Sequence, residues 1–201
     1  MNNILSFKNY FYLVILSIIH KSYAYINIFL TIRQNIIGDI MYYLNYFFVF
    51  SILGHIVESF VYSDGQSGIL YGWWTPIYGF GIIIILLLYK CIDKLNIKEI
   101  KKGLVLFITS ALILMILEFI SGHLIELIFN VTFWDYSNLK LNIGKYTSIE
   151  MGLIWGIASI VFIYWLKPFL DKIISKIPKY FTYLLIILFI LDLFLTIIIK
   201  H

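Results

Sequence analysis

The stretch Gly72-Trp-Trp-Thr-Pro-Ile-Tyr-Gly-Phe-Gly81 stands directly before the apolar run Ile82–Tyr89, and the two together indicate the fold. Their combined length is enough to cross a bilayer as a helix. The first stretch nevertheless contains a proline, three glycines and aromatic side chains with polar tips, which a span that needs only apolar length would avoid. We therefore expect this stretch to do something besides crossing the membrane. An aromatic belt at the membrane interface, made by Trp73, Trp74 and Tyr78, is the alternative.

Four residues in this region are predicted to have structural roles. Pro76 lacks an amide donor, so within a helix it would leave the carbonyl of Gly72 without its partner. Gly79 and Gly81 allow a neighbouring backbone to approach closely. Gly54, in the preceding apolar segment, is assigned a structural role as well.

The composition of the chain excludes a soluble domain. Of its 201 residues, 62% are hydrophobic and only 13% are charged, and the mean hydropathy is +0.94. Soluble domains carry roughly 25% charged residues. The single cysteine, Cys91, excludes an internal disulfide and a cysteine metal cluster. There is no phosphate-binding loop, dinucleotide fingerprint or basic nucleic-acid patch, so we expect no bound cofactor and no nucleic-acid partner. Coupling to ATP would need another chain.

The alternation of apolar segments and charged loops predicts an all-α fold, a polytopic transmembrane bundle of five helices spanning residues 41–201. The predicted spans are Met41–Val61, Leu70–Lys90, Gly103–Phe129, Ser148–Leu166 and Tyr180–Ile199. Lysines concentrate in the loops 91–102 and 167–179, which the positive-inside rule places in the cytoplasm of a cell whose plasma membrane holds the protein. The formal charge of +4 is explained by these loops.

Residues 1–40 contain a further hydrophobic segment, which His20 and Lys21 interrupt. As one span it would place Lys21 in mid-bilayer at a cost of about 2.5–3.5 kcal/mol. An interfacial amphipathic segment and a signal peptide ending after Ala24 are the alternatives. A further hypothesis is that translation starts at Met41, because codons for the residues just before it can resemble a ribosome-binding site. The intact mass of the endogenous protein tests this.

Ionisable residues inside the predicted spans all fall in the outer halves, whereas the inner halves are almost uniformly apolar. Glu58, Glu118 and Glu126 are among these residues, and for Glu126 a position at the membrane interface is the alternative. Carboxylates in hydrocarbon are costly and normally face a bundle interior, so we predict a polar chamber that opens to the outer face. Two other acids have simpler interpretations. Glu150 follows Thr147 at the spacing of a capping box, and Asp192 can be satisfied by one hydroxyl.

His55 and His123 each precede a glutamate by three residues on one helix face. Imidazole and carboxylate are ligands for zinc or iron, so a metal site is a weaker hypothesis. The spacing has no specificity, and we assign no metal.

The predicted outer loop Asn130–Tyr146 carries an aspartate between two large aromatic residues. We expect this loop to fold back over the chamber with its rings at headgroup level, and an ordinary aromatic anchor is the alternative. The residues predicted to bind substrate are Glu58, Trp74, Tyr78, Glu118, Glu126, Trp134, Asp135, Tyr136 and Asn142.

Several of these residues lie in short motifs whose order and spacing are specific. The motifs are Phe50–Gly54 followed by Glu58, Gly68–Gly72, Pro76–Gly81, Leu117–Phe119 with Glu126, Phe133–Ser137, and Leu141-Asn142 with Gly144. From about Met41 to the last helix, the chain resembles the small bacterial membrane proteins known as type IV ABC-transporter permeases. It departs from them at His55, where tryptophan is usual, and at Lys145, where arginine is usual.

The resemblance implies transport. The first hypothesis is a transporter component in which Glu58, Glu118 and the loop from Trp134 to Tyr136 bind a small cationic or polyhydroxylated substrate from outside. Its expected partners are the lipid bilayer, a cytoplasmic ATP-binding subunit that docks on the lysine-rich loops, and a second copy of the chain. A path through both leaflets requires an oligomer or a partner helix to line the inner half. Two alternatives remain. One is an outer-leaflet enzyme acting on lipid or cell-wall precursor with Glu58 or Glu118 as general base, and the other is a structural or regulatory subunit.

Overall fold

A computed structural model of the chain describes residues 2–61 and 68–200. The described residues are helical apart from short connections. The helices are α1 (Asn2–Val61), α2 (Pro76–Ile92), α3 (Glu99–Phe129), α4 (Ile149–Val161), α5 (Lys167–Ile174) and α6 (Lys179–Lys200). A π-helical turn, Phe162–Leu166, joins α4 to α5, so residues 149–174 form one continuous helix. The predicted all-α fold is confirmed.

Four of the described helices are long and apolar enough to cross a membrane. They are Leu30–Phe60, Glu99–Phe129, Ile149–Ile174 and Lys179–Ile199. Helix α2 is shorter, with 17 residues. At a rise of 1.5 Å per residue it spans about 26 Å, slightly less than the hydrocarbon thickness of about 30 Å. Placed across a bilayer, α2 would leave the chain that precedes it at or just inside the membrane surface.

The predicted second span, Leu70–Lys90, is wrong at its outer end. Helix α2 begins at Pro76, and the described residues before it form an irregular segment, residues 68–75. Proline is well tolerated in the first turn of a helix, because the amide that it lacks has no partner there. Gly72 lies outside the helix, so the expected loss of a helical hydrogen bond at its carbonyl does not occur.

Hydrogen bonds to two helices hold the irregular segment. The amides of Tyr71 and Gly72 donate to the carboxylate of Asp192 on α6, at 3.0 and 2.7 Å. The amide of Thr75 donates to the carbonyl of Ser51 on α1, at 2.9 Å. Irregular backbone at membrane depth is tolerated only where protein or water satisfies its polar groups, and these bonds meet that requirement.

Asp192 has more hydrogen-bond partners than the single hydroxyl predicted from the sequence. Besides the two amides, it accepts the indole Nε1 of Trp74 at 2.8 Å and the hydroxyl of Thr196 at 3.3 Å. Its side chain is buried. The expectation of one hydroxyl partner was therefore wrong, because the irregular segment supplies three further donors.

The inner ends of the helices carry polar contacts as well as apolar ones, which corrects the expectation of uniformly apolar inner halves. Tyr42 and Tyr46 of α1 each donate to Asp171 of α5 at 2.8 Å, and Lys167 pairs with the same carboxylate at 2.7 Å. Each hydroxyl and the ammonium thus has a partner in a region of low polarity. Nearby, the buried core packs Tyr46 with apolar residues of α2, α3 and the π-helical turn.

The start of α4 is capped one residue later than predicted. Ser148, rather than Thr147, is the N-cap, and its hydroxyl accepts from the amide of Met151 at 3.1 Å. Glu150 accepts from the amide of Leu141 at 3.0 Å, so its carboxylate ties the preceding loop to the helix. The Ser148 bond satisfies one of the amides that the first helical turn leaves unpaired.

The chain divides into two compact units, Met1–Met41 and Tyr42–His201. The first unit is helical over its described residues. The hypotheses on the translation start and on the membrane placement of residues 1–40 stay predictions.

Cys91 allows a direct test of the predicted orientation. Its thiol is free and exposed, and it is the single cysteine of the chain. A membrane-impermeant maleimide is expected to leave Cys91 unlabelled in intact cells and to label it in inverted membrane vesicles. The reverse pattern would invert the topology and move the predicted chamber to the cytoplasmic side.

Candidate functional site

A cavity of about 650 Å³ lies among α1, α2, α3, α4 and the loop that joins α3 to α4. It brings together side chains that the sequence analysis selected from four separate parts of the chain. Those that line it are Glu58, Tyr78, Glu118, Trp134 and Tyr136. Residues from distant motifs thus share one site.

Glu118 is the most buried acid of the cavity, with 4% of the residue exposed. One carboxylate oxygen, Oε1, accepts from the hydroxyl of Tyr136 at 3.3 Å. The other, Oε2, is buried and has no hydrogen-bond partner within the described parts of the chain. A buried carboxylate oxygen without a partner is costly, and a ligand with a donor or a positive charge would compensate it.

Glu58 approaches the cavity from α1 and is partly buried. The hydroxyl of Thr75 donates to its Oε2 at 3.2 Å. Thr75 belongs to the irregular segment, so this contact joins the segment to one of the two cavity acids. The position of that segment therefore affects the orientation of Glu58.

The rest of the cavity wall is largely aromatic and apolar. Trp134, Tyr136 and Trp155 contribute to it, and no lysine, arginine or histidine is found among the described residues that line it. The indole Nε1 of Trp155 is buried and has no hydrogen-bond partner among the described residues. Two carboxylates beside aromatic faces form an environment that suits a positively charged group.

Trp134 and Tyr136 of the outer loop are held by hydrogen bonds to residues at the end of the same loop. Trp134 Nε1 donates to the carbonyl of Tyr146 at 3.0 Å, and the amide of Tyr136 donates to the carbonyl of Lys145 at 2.8 Å. The ring of Tyr146 lies directly against Gly122 of α3, where a Cβ atom would overlap it. The loop is thus positioned by contacts with α3, as well as by its own hydrogen bonds.

Two of the predicted binding residues lie outside the cavity because they have other partners. Trp74 is buried, and its indole donates to Asp192. Glu126 forms an ion pair with Lys145 at 2.7 Å, and this contact raises the pKa of the Lys145 ammonium. Both side chains hold the irregular segment or the outer loop in place.

Asp135 and Asn142 also do not line the cavity. Asp135 is exposed and accepts from the amide of Ser137 at 2.8 Å, and hydrogen bonding to Ser137 lowers the pKa of its carboxyl. Asn142 donates to the carbonyl of Gly144 at 3.3 Å, next to a turn in which Gly144 has a φ of 71°. These contacts are internal to the loop.

The sequence analysis missed Met151 and Trp155, which line the cavity from α4. They are four residues apart and so lie on one helix face. That spacing is visible in the sequence, but neither side chain ionises, and in an apolar helix it is the ionisable residues that indicate a site.

The two histidines of the metal hypothesis have ring partners. His55 stacks on Trp73 with ring centroids 6.4 Å apart. His123 Nδ1 donates to the carbonyl of Phe119 at 2.8 Å, and its ring packs edge-on against Tyr146. Within residues 2–61 and 68–200, no three His, Cys, Asp or Glu residues gather in a geometry that could hold a metal ion.

The fold and the site define a helical, polytopic membrane protein with a carboxylate-bearing cavity. Residues 45–197 match the family model described as "Putative ABC-transporter type IV", and the chain belongs to this family. No curated protein and no solved structure matches the chain. The resemblance found in the sequence is therefore confirmed at the level of the family.

Proposed function

We propose that the protein is the membrane-embedded component of a transporter in the plasma membrane, and that its cavity binds a small cationic solute from the outer face. One observation carries this proposal. Glu58 and Glu118, on separate helices, line one cavity whose described residues include no basic side chain. The family match and the apolar helices support the assignment to a membrane transporter.

A cation fits this cavity better than a neutral solute. Two carboxylates removed from water need a compensating charge, and aromatic faces attract cations by about 0.5–2 kcal/mol or more. A polyhydroxylated neutral solute could donate to the same oxygens, but it brings no charge to stabilise the ionised carboxylates. Quaternary and primary amines are therefore the expected chemical class.

Transport requires more than this cavity, because a solute must cross both leaflets and the two acids lie only in the predicted outer half of the bundle. We propose that an ATP-binding subunit docks on the lysine-rich loops 91–102 and 167–179, and that a second copy or a partner helix completes the path. Native mass spectrometry of the complex extracted from its own membrane tests this. A complex with an ATP-binding chain is expected, whereas a lone chain or simple homo-oligomer would contradict this part of the proposal.

Substitution of Glu118 by glutamine tests the binding site. The change keeps the shape of the side chain but removes the charge. Because a carboxylate attracts a cation about 4 Å away by about 1–4 kcal/mol, depending on the effective dielectric constant, we expect Glu118→Gln to weaken binding about tenfold to a hundredfold. Equilibrium binding of radiolabelled tetramethylammonium to the purified protein measures the effect.

Glu99→Gln is the matched control, because it makes the same chemical change at the opposite end of α3 and outside the cavity. It is expected to leave tetramethylammonium binding unchanged. Equal binding by the wild type, Glu58→Gln and Glu118→Gln would reject the cation site. The structural-subunit alternative would then remain.

A further inference from the structure

A second cavity, of about 240 Å³, adjoins the first. The two share Ile77, Tyr78, Glu118 and Trp155, so Glu118 lies where they meet. Apart from Tyr78, Glu118 and Trp155, the residues lining the second cavity are apolar. A polar compartment thus continues directly into an apolar one, which we call the apolar crevice.

The apolar crevice follows the helices away from Glu118. Along α4 and the π-helical turn, its lining extends from Trp155 to Leu166, a distance of about 16 Å at 1.5 Å per residue. Ala158, Val161 and Leu166, on its α4 side, are exposed. In a membrane the crevice is therefore open sideways to hydrocarbon, with its buried floor formed in part by Leu114 and Phe162.

We infer that the ligand of this site is an amphiphile, with a cationic head between Glu58 and Glu118 and a hydrocarbon chain in the apolar crevice. This inference rests on the proposed function and names the class of its substrate. The chain would enter sideways from the bilayer while the head reaches the carboxylates.

The shared lining residues favour an amphiphile over a ligand that has only a cationic head. A wholly polar solute would fill the carboxylate cavity and leave the adjoining crevice to lipid chains. A ligand with a head and a chain occupies both compartments and buries its methylenes against the crevice floor. Each methylene moved from water to an apolar site contributes about 0.8 kcal/mol, which corresponds to about a fourfold gain in affinity.

Competition by alkyltrimethylammonium ions tests the inference. Ethyl-, butyl- and hexyltrimethylammonium displace radiolabelled tetramethylammonium from the purified protein, and the free concentration of each competitor is measured by dialysis. In the wild type, every two added methylenes are expected to strengthen competition about fifteenfold. Ala158→Leu places a larger side chain in the crevice and is expected to reduce this gain. Ala111→Leu, on α3 and outside both cavities, is the matched control and should retain the full gain.

The position of the chain is tested by photolabelling in native membrane vesicles. The probe is octyltrimethylammonium with a diazirine near the end of the chain. Label is expected on crevice residues such as Leu114, Ala158 and Phe162, and excess tetramethylammonium should suppress it. The exposed residues Ile187 and Ile190 of α6 report labelling from bulk lipid and should not respond to the competitor.

Two negative results have different meanings. If tetramethylammonium binding depends on Glu118, but chain length has the same effect in both alanine variants and the label spreads without competition, the amphiphile inference is overturned and the cation site stands. If tetramethylammonium binding is independent of Glu118, the proposed cation site fails, and the inference fails with it.

Discussion

Replacement of Asp192 by alanine is expected to destabilise the bundle by about 3–5 kcal/mol, since several bonds to one buried carboxylate are lost together. The carboxylate accepts four donors, and three of them belong to the irregular segment before α2. Two of those three are backbone amides, Tyr71 and Gly72, which cannot move to another partner without moving the chain. An unsatisfied buried donor costs about 1–3 kcal/mol.

Thermal unfolding of the purified protein, followed by circular dichroism, measures the effect. Thr196→Val serves as the control, because it removes only the hydroxyl bond to Asp192 and leaves the three bonds from the irregular segment. It is expected to cost about 0.5–1.5 kcal/mol. If Asp192→Ala proved no more damaging than Thr196→Val, the irregular segment would not depend on this carboxylate.

The sequence was sufficient for the helices but not for the irregular segment. Apolar length and the placement of lysines predict membrane helices, because both follow from the bilayer as solvent. Pro76 is compatible with the first turn of a helix and with a kink inside one, and local sequence does not distinguish the two. Here the choice follows from Asp192, an acceptor about 120 residues away along the chain.

The candidate site was predicted in part for a similar reason. Glu58 and Glu118 could be selected because a carboxylate in hydrocarbon is energetically costly and usually has a function. Trp74 and Glu126 are also polar groups in apolar surroundings, but each already has a partner. Trp74 donates to Asp192, and Glu126 forms an ion pair with Lys145. Only the three-dimensional contacts separate an acid or indole with a partner from one that is open to a ligand.

Packing between α1 and α2 makes Gly79 the second position with a large expected effect. A Cβ atom at Gly79 would lie 2.7 Å from the backbone carbonyl of Phe47 and would also overlap the Ser51 hydroxyl. A backbone atom cannot move aside as a flexible side chain can, so the helices must separate. We expect Gly79→Ala to destabilise the protein by about 1–3 kcal/mol, the usual cost of overpacking.

Gly81, two residues further along α2, provides the comparison. A Cβ atom there would meet Leu114 Cδ2 at 3.5 Å, an ordinary van der Waals contact. Because alanine favours a helix over glycine by about 1 kcal/mol, Gly81→Ala is expected to leave the unfolding temperature unchanged or to raise it. Both variants differ from the wild type by one methyl group, so their unfolding temperatures isolate the packing. Equal effects would show that α1 and α2 do not meet at Gly79 as the structure has them.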